Sequence, residues 1–309
     1  MRVLRLGHGL DSQHPVHLAM TSMREDLARR SSGALRLEVY PNEQLGSERE
    51  CLELLQIGSL AMTKVSAAVL ENFAPSFRVF GVPYLFRDDA HRFETLEGVI
   101  GREILNDLSR VRLRGLAWYD AGNRSFYTRQ RPVRHPDDLA GLKIRVQESP
   151  SAIAMVRAMG GAATPIAWGE LYTALQQGVV DGAENNPPSF HLSRHYEVSR
   201  FLSLDEHTAV PDVLLVSESV WQQLDADERE WLAGAAKASA QTQKTLWREA
   251  TARALDAVRA AGVEIIRPDK QAFAQRAAGL QREPQIDSAT AAWVARVRGV
   301  GAAGAGDTP

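Results

Sequence analysis

The chain has 309 residues, of which 44% are hydrophobic and 24% charged, and a formal net charge of -2 at pH 7. This length exceeds the roughly 250 to 300 residues that one hydrophobic core supports, so two lobes are expected. The basic residues are scattered, which argues against a nucleic-acid partner. The single cysteine, Cys51, excludes an internal disulfide and a cysteine-rich metal site, and its place on an apolar helix stripe predicts a buried, unreactive thiol.

The chain contains no run of 18 or more apolar residues, so no membrane-spanning helix is predicted. It opens on an apparent strand, VLRLGHG, without the basic-then-apolar pattern of a signal peptide. Two interpretations stay open at this point: a cytoplasmic protein, or an exported one whose leader has been removed. The Gly/Ala-rich end, residues 299–309, is predicted to be disordered.

Strands and helices alternate along the chain, a pattern typical of α/β lobes. The first strand is followed by a predicted helix at 17–30, by the strand LRLEVYP, and by a helix that starts with a capping box of Ser47 and Glu50. The apolar, proline-interrupted segment FRVFGVPYLFRD is predicted to be a buried connector. The next segment, RLRGLAWYDAGNRSFYT, is predicted to form strand, loop and strand, with Arg124 at the loop exit.

Two neighbouring segments in the middle of the chain carry donors suited to an anion. The segment DLAGLKIRVQES predicts a turn and a strand at 143–146 that carries Arg145. An arginine offers a planar five-donor fork that fits a carboxylate. The segment GELYTALQQGVVDGAENN predicts a helix and a strand that ends at Asn185. These segments therefore predict a ligand-binding site for an acid.

A long helix is predicted near the end of the chain. Asp225 and Glu228 form an N-terminal capping signal, and the stretch from 226 to 261 contains no proline. At 1.5 Å per residue it would span roughly 50 Å, enough to contact both lobes. The alternative is a pair of helices broken near Gly234 or in the region 241–244.

Several enzyme signatures are missing from the sequence. There is no GxxxxGK[ST], no GxGxxG after a strand, no HExxH and no GxSxG. His8, His14 and His17 give only a weak metal signal, and His191 and His195, four residues apart, are interpreted as a solvated helix surface. We therefore predict no catalytic residues, no metal and no cofactor, and favour binding without chemistry.

Three long motifs in order carry a family resemblance: DLAGLKIRV, GGAATPIAWGELYTALQQGVVDGAENN and HYEVSRFLSLDEH. With LGHGLDSQHP and YPNEQLGSERECLELLQIGSL, residues 4 to 285 resemble the solute-binding proteins of tripartite ATP-independent periplasmic (TRAP) transporters, the DctP family. The resemblance implies a two-lobed α/β fold of the periplasmic-binding-protein kind, with hinge strands and one long helix spanning both lobes. It also implies a periplasmic, monomeric protein, a removed leader and a membrane permease as partner.

The lobe boundaries follow from this resemblance. Lobe I is expected to comprise 1–122 and about 209–250. Lobe II is expected to comprise 123–208 and about 251–298. The chain therefore crosses between the lobes three times.

The resemblance also assigns ligand contacts. Arg145 resembles the arginine that makes a bidentate salt bridge to a ligand carboxylate, Arg124 a second carboxylate contact, and Asn185 a third polar contact. Trp168 resembles the aromatic residue that stacks on the ligand body, and Ser66 a contact from the lobe I wall.

Further candidates come from the neighbouring residues. Gln147 lies beside Arg145 in sequence, and His14 is a candidate for hydrogen bonding to the ligand. The alternative for Arg145 is an internal ion pair with Glu148 or Glu170 that never meets ligand.

The ligand is the least determined part of the prediction. Ser66 and Val69 stand where sialate-binding members tend to carry an acidic residue and an arginine, which disfavours sialic acid. A hexuronate or related aldonate is favoured, with Glu71 and Glu148 as possible acceptors for sugar hydroxyls or simply surface acids. C4-dicarboxylates, keto acids and aromatic acids stay open, as do docking to a sensor domain and a sugar-acid enzyme.

Overall fold

Two mixed β-sheets organise the chain in the computed structural model, which describes residues 1–281 and 286–301. In this part of the chain the strands are β1 Arg2–Gly7, β2 Leu35–Tyr40, β3 Met62–Ser66, β4 Leu113–Tyr119, β5 Arg124–Thr128, β6 Lys143–Val146, β7 Ala162–Pro165, β8 Gly182–Asn185, β9 Phe201–Thr208, β10 Asp212–Ser217 and β11 Glu264–Ile266. The lobe I sheet has the order β2-β1-β3-β10-β4, and the lobe II sheet has the order β11-β9-β5-β8-β6-β7.

Helices cover these sheets. They are α1 Pro15–Arg30, α2 Glu48–Gln56, α3 Ala67–Leu70, α4 Asp89–Glu97, α5 Val99–Asp107, α6 Pro150–Ala158, α7 Leu171–Gln177, α8 Pro187–Leu192, α9 His195–Val198, α10 Glu218–Gln223, α11 Ala226–Ala260, α12 Lys270–Ala277 and α13 Ser288–Gly299. Short 3-10 helices lie at Pro75–Gly81, Leu108–Val111, Pro136–Leu139, Trp168–Glu170 and Ala278–Gln281. No helix among the described residues is long and apolar enough to cross a membrane.

The capping signals of the sequence fix two helix starts. Ser47 accepts from the Glu50 backbone N–H and the Glu50 side chain accepts from the Ser47 backbone, so the predicted capping box of α2 is confirmed. Asp225 and Glu228 form the same reciprocal pair at the start of α11. Because α11 is one helix of 35 residues, the alternative of two broken helices is wrong.

The long helix α11 joins the two lobes. Its first half packs Leu232 and Ala236 into the core of the lobe I sheet, and Val258 near its end packs into the core of the lobe II sheet. In its middle, Gln243 donates to the Asp120 carbonyl at 2.7 Å and accepts from the Asp120 N–H at 2.8 Å. The helix is therefore bound to the backbone at the point where β4 of lobe I leads to β5 of lobe II.

Besides α11, two short segments without helix or strand carry the chain from one sheet to the other. Residues 120–123 connect β4 with β5, and 209–211 connect β9 with β10. We propose these crossings and α11 as the hinge, with lobe boundaries there. The last helix differs from the sequence expectation: α13 was placed in lobe II, but Val294 and Val297 pack into the lobe I core with Phe77 and Phe80, because its apolar face covers the buried connector.

The end of the chain beyond α13 was predicted to be disordered from 299 onward. Gly299 is the last residue of α13, and the Val300 carbonyl accepts from Arg87 at 2.7 Å, so these two residues are tied to lobe I. Residues 302–309 lie outside the described part of the chain. That part of the prediction therefore stays untested.

The two lobes contact each other across the cleft between the sheets. The Ser66 hydroxyl of lobe I donates to Gln147 of lobe II at 3.3 Å. Asn72 donates to the Glu148 carbonyl at 2.6 Å. This arrangement encloses the cleft and brings side chains from both sheets to its interior.

Candidate ligand-binding site

The cleft between the lobes holds a cavity lined by side chains of both lobes, as is usual for a ligand site between two domains. It lies at the carboxyl ends of β1, β3, β6 and β8, where side chains leave the sheets. Eight of the nine predicted contacts line it: His14, Ser66, Arg124, Arg145, Gln147, Glu148, Trp168 and Asn185. The cleft is therefore the place where the predicted donors converge.

Arg145 is the cation with unused donors in this cavity. The side chain projects from β6 and is 2% exposed. Its Nε donates to the Ile166 carbonyl at 2.8 Å, while Nη1 is buried without a hydrogen-bond partner among residues 1–281 and 286–301. Burial lowers the pKa of the guanidinium. The alternative pairing with Glu148 or Glu170 is not formed in the described part of the chain, so the fork is open to a ligand.

Arg124 also lines the cavity, but its donors are already used. Nε and Nη2 donate to the two carboxylate oxygens of Glu184, the second at 2.8 Å, and Nη2 also donates to the Glu184 carbonyl at 2.7 Å. Nη1 donates to Asn185 Oδ1 at 3.2 Å. Burial opposes the charge of Arg124, but Glu184 more than offsets this and raises its pKa. The role of Arg124 and Asn185 as direct ligand contacts stays a prediction.

A chain of alternating charges stands behind Arg124. The His207 Nδ1 lies 2.7 Å from Asp205 Oδ2, and its Nε2 lies 3.5 Å from Glu184 Oε2, an ion-pair rather than a hydrogen-bond distance. Burial opposes protonation of this imidazole, but Asp205 and Glu184 raise its pKa to about 9. Burial likewise opposes ionisation of Glu184, and Arg124 and His207 lower its pKa to about 2. The network therefore holds Arg124 in place with balanced charges.

We expect stability to depend on pH through His207. Since the folded-state pKa is raised from 6.5 to about 9, the stabilisation is full below pH 6.5 and is lost as pH rises through 9. The loss is on the order of 3 kcal/mol for the full shift. Melting temperatures of the native protein and of His207→Gln, measured between pH 6 and 9.5, test this prediction, because the variant lacks the titrating imidazole. If the melting temperature changed equally with pH in the two proteins, the assignment to His207 would be wrong.

The lobe I wall carries a buried cation with two acids. Lys64 Nζ lies 3.2 Å from Glu48 Oε1 and 3.1 Å from Asp212 Oδ2. Glu48 also accepts from the Ser66 N–H at 3.1 Å, so the predicted contact Ser66 is fixed by this group. Burial opposes the charge of Lys64, and Asp212 and Glu48 raise its pKa. Sequence reasoning missed this cluster, because its members come from α2, β3 and β10 and only the fold brings them together.

Trp168 and His14, both predicted as ligand contacts, line the cavity. The Trp168 ring is half-buried, with the Arg145 guanidinium 5.9 Å from its centroid. His14 accepts from the Val16 N–H through Nδ1 at 3.3 Å and so caps α1, while Nε2 lies 3.3 Å from Ser189 Oγ of lobe II. Burial and then Lys64 lower the pKa of His14 to about 3, so the ring is neutral.

Glu71 is not in the cavity, and its assignment as a ligand contact is wrong. It accepts from the Ser151 N–H at 2.9 Å and from the Ser151 hydroxyl at 2.6 Å. Since Glu71 follows α3 in lobe I and Ser151 begins α6 in lobe II, the carboxylate joins the lobes at the side of the cleft. Its acceptors are used by the protein itself.

Four histidines and the cysteine bear on further interpretations of the sequence. His191 and His195 lie in separate helices, and His195 is buried with Nδ1 2.8 Å from the Tyr127 hydroxyl, so the solvated-surface interpretation is wrong for it. The His8 Nε2 lies 3.0 Å from His17 Nδ1. Cys51 is buried, as predicted, and burial raises its pKa to about 11.

Sequence reasoning missed two further residues of the cavity, Trp247 and Glu43. Trp247 lies on α11 and follows Ala236, Ala240 and Gln243 at helical spacing on the buried face of that helix. This periodicity marks it as facing inward. Glu43 follows β2 in a turn, and no pattern in the sequence distinguishes it from a surface acid.

Comparison with known proteins agrees with the fold and the cleft. The family model described as bacterial extracellular solute-binding protein, family 7 (DctP), matches residues 6–285. A TRAP periplasmic solute-binding protein of Bradyrhizobium sp. BTAi1, solved with galacturonate, is 38% identical with a TM-score of 0.93, covering 96% of this chain and 99% of that one.

Two further relatives bind different acids. A TRAP periplasmic solute-binding protein of Pseudomonas putida F1, solved with D-glucuronate, is 33% identical with a TM-score of 0.93, covering 97% of this chain and 98% of that one. The C4-dicarboxylate-binding periplasmic protein DctP of Rhodobacter capsulatus is 32% identical over 264 residues, 84% of this chain and 78% of that protein.

The fold and the cleft define a two-lobed solute-binding protein. The chain belongs to the DctP family of TRAP-transporter solute-binding proteins, as the resemblance of its motifs indicated. The predicted fold class is confirmed by the same structures.

Proposed function

We propose that this protein captures a small sugar acid with one carboxylate, a hexuronate in the favoured case, outside the cytoplasm and delivers it to a TRAP permease. The observation that carries the proposal is Arg145, a buried guanidinium with a partnerless Nη1 in an enclosed cavity, as far as the described residues extend. Burying a cation without a partner is costly, so a ligand carboxylate is the natural counter-ion.

The balance of charges in the cavity supports a single carboxylate. Three cationic side chains line the cavity: Lys64, Arg124 and Arg145. Arg124 is paired with Glu184, and Lys64 is paired with both Glu48 and Asp212. Within the described part of the chain only Arg145 lacks an acidic partner. The free Nη1 of Arg145 therefore suits one ligand carboxylate.

The remainder of the lining supports a polyhydroxyl body. Trp168 offers an aromatic face on which the apolar side of a sugar ring can stack. Asn185, Asn186 and Gln147 supply amide groups to the same cavity. The galacturonate and glucuronate bound by the Bradyrhizobium and Pseudomonas relatives have this combination of a carboxylate and hydroxyls.

Calorimetry with matched ligands tests the proposal. D-Glucuronate and D-galacturonate are expected to bind, and D-glucose and D-galactose, which lack the carboxylate, are expected to show no measurable binding. A ligand at 100 times its dissociation constant should also stabilise the fold by about 2.7 kcal/mol in a melting experiment. Equal affinity for glucuronate and glucose would contradict the proposal.

A C4-dicarboxylate is the second candidate, because the Rhodobacter relative is named for that activity. Succinate and malate in the same calorimetric series distinguish it from a sugar acid. An enzymatic role is tested by incubating the bound sugar acid with the protein and looking for a product. We propose a periplasmic monomer whose partners are the ligand and the permease.

A further inference from the structure

The lobe I side of the cleft faces Arg145 with an acidic wall. This wall consists of Glu43, Glu48 and Asp212, with Lys64 between the last two. The wall therefore contains three carboxylates and one ammonium group, and the ammonium contacts two of the carboxylates. The cavity therefore contains both a cationic group, Arg145, and a wall rich in hydrogen-bond acceptors.

Glu43 is the member of the wall with a free acceptor. Its Oε1 is buried without a hydrogen-bond partner in residues 1–281 and 286–301. The Gly169 backbone of lobe II hydrogen-bonds to this carboxylate. A buried acceptor without a donor is unfavourable, so the geometry calls for a donor from a ligand.

Two glycines hold Glu43 in this position. A Cβ atom at Gly9 would lie 3.2 Å from Glu43 Cγ and 3.3 Å from Oε1, and a Cβ atom at Gly169 would lie closer still, within 2.2 Å of Oε2. The carboxylate therefore lies between Gly9 of lobe I and Gly169 of lobe II, and a side chain at either position would crowd it. This close fit fixes the direction of its free oxygen.

We infer that Glu43, with the Glu48–Lys64–Asp212 group behind it, is a specificity filter that accepts ligand hydroxyls and rejects a second carboxylate. This inference rests on the proposed function, because it takes Arg145 as the carboxylate end of the site. A ligand hydroxyl donates to Glu43 Oε1, whereas a second ligand carboxylate has no proton to donate and meets a wall in which three carboxylates outnumber one ammonium. Burial and then Glu48 raise the pKa of Glu43, which reflects the same crowding of acids.

The filter distinguishes acids that differ only at the end of the molecule remote from the carboxylate that Arg145 binds. D-Gluconate and D-glucarate share an open six-carbon chain and its hydroxyls, but glucarate carries a carboxylate where gluconate carries a terminal hydroxyl. In the native protein we expect glucarate to bind at least about 100-fold more weakly than gluconate or glucuronate, whichever binds tighter, because like charges in contact cost several kcal/mol.

The variant Glu43→Gln keeps the shape of the side chain and removes its charge. Its amide nitrogen can donate to a carboxylate, so we expect the preference for the monoacid over glucarate to fall at least about tenfold, with weaker monoacid binding because a charge-assisted bond is lost. The control Glu53→Gln makes the same change at an exposed residue of α2 and should leave all three affinities unchanged. Melting curves verify that both variants fold.

The outcomes separate the inference from the proposed function. Glucarate binding within threefold of the tighter monoacid, or a preference unchanged by Glu43→Gln, overturns the filter while leaving the sugar-acid function in place. No binding of glucuronate, galacturonate or gluconate by the folded native protein overturns the proposed function and the filter with it. A preference that shrinks in Glu43→Gln and not in Glu53→Gln supports the filter.

Discussion

Replacing Arg145 with lysine is expected to weaken sugar-acid binding by roughly 30-fold to several thousand-fold, which corresponds to about 2 to 5 kcal/mol. The guanidinium is buried, and in the described part of the chain its Nε alone has a hydrogen-bond partner, so Nη1 and Nη2 are available for two parallel hydrogen bonds to a carboxylate. A lysine ammonium is a point charge that cannot reproduce this geometry, and it should fail almost as badly as alanine. Calorimetry with D-glucuronate measures the effect.

The matched control is Arg253→Lys, the same substitution at a side chain 67% exposed on α11. Its affinity is expected within twofold of the native protein. If Arg145→Lys bound glucuronate within threefold of native, the assignment of Arg145 as the carboxylate receptor would be wrong. A melting temperature far below native would instead indicate that Arg145 serves the interior of lobe II.

Removing Glu184 is expected to have the largest effect on stability. In Glu184→Ala the buried guanidinium of Arg124 loses its carboxylate, and the imidazolium of His207 loses one of its two acids. Breaking a buried ion pair from one side costs about 3 to 5 kcal/mol, because the remaining charge has no counter-ion. Urea unfolding at pH 7 measures the free energy of unfolding.

An exposed pair supplies the control for this experiment. Glu264 and Arg134 have side chains 50% and 61% exposed, and Glu264→Ala should change the free energy of unfolding by no more than about 0.5 kcal/mol. The double variant Arg124→Met, Glu184→Ala should recover part of the loss, since it leaves one fewer cation buried. A cost below about 1 kcal/mol for Glu184→Ala would show that water reaches Arg124 in solution.

The sequence was sufficient for the elements whose signals are local. Capping pairs fixed the starts of α2 and α11, and the absence of proline predicted the unbroken length of α11. Arg145 was identified from the sequence because it lies on a short predicted strand, next to polar residues, in one of the motifs that carry the family resemblance. Such features depend on neighbours within a few positions in the chain.

The remainder of the site depends on contacts between distant segments. Lys64 and Asp212 are adjacent only because β3 pairs antiparallel with β10 across the lobe I sheet. Glu71 looked like a sugar acceptor, but its partner Ser151 lies in the other lobe. Arg124 was expected to face the ligand with free donors, and only the folded arrangement of β5 and β8 shows that Glu184 occupies them.

The hydrogen bonds between the lobes bear on what the protein does when no ligand is present. Glu71 with Ser151 and Ser66 with Gln147 join the lobes through the protein's own side chains, so they favour the closed arrangement of the lobes. Apparent affinity rises with the population of the form that is ready to bind. The permease, however, must distinguish the ligand-bound binding protein from the ligand-free one. If the contacts between the lobes were too strong, the closed form without ligand would also dock at the membrane.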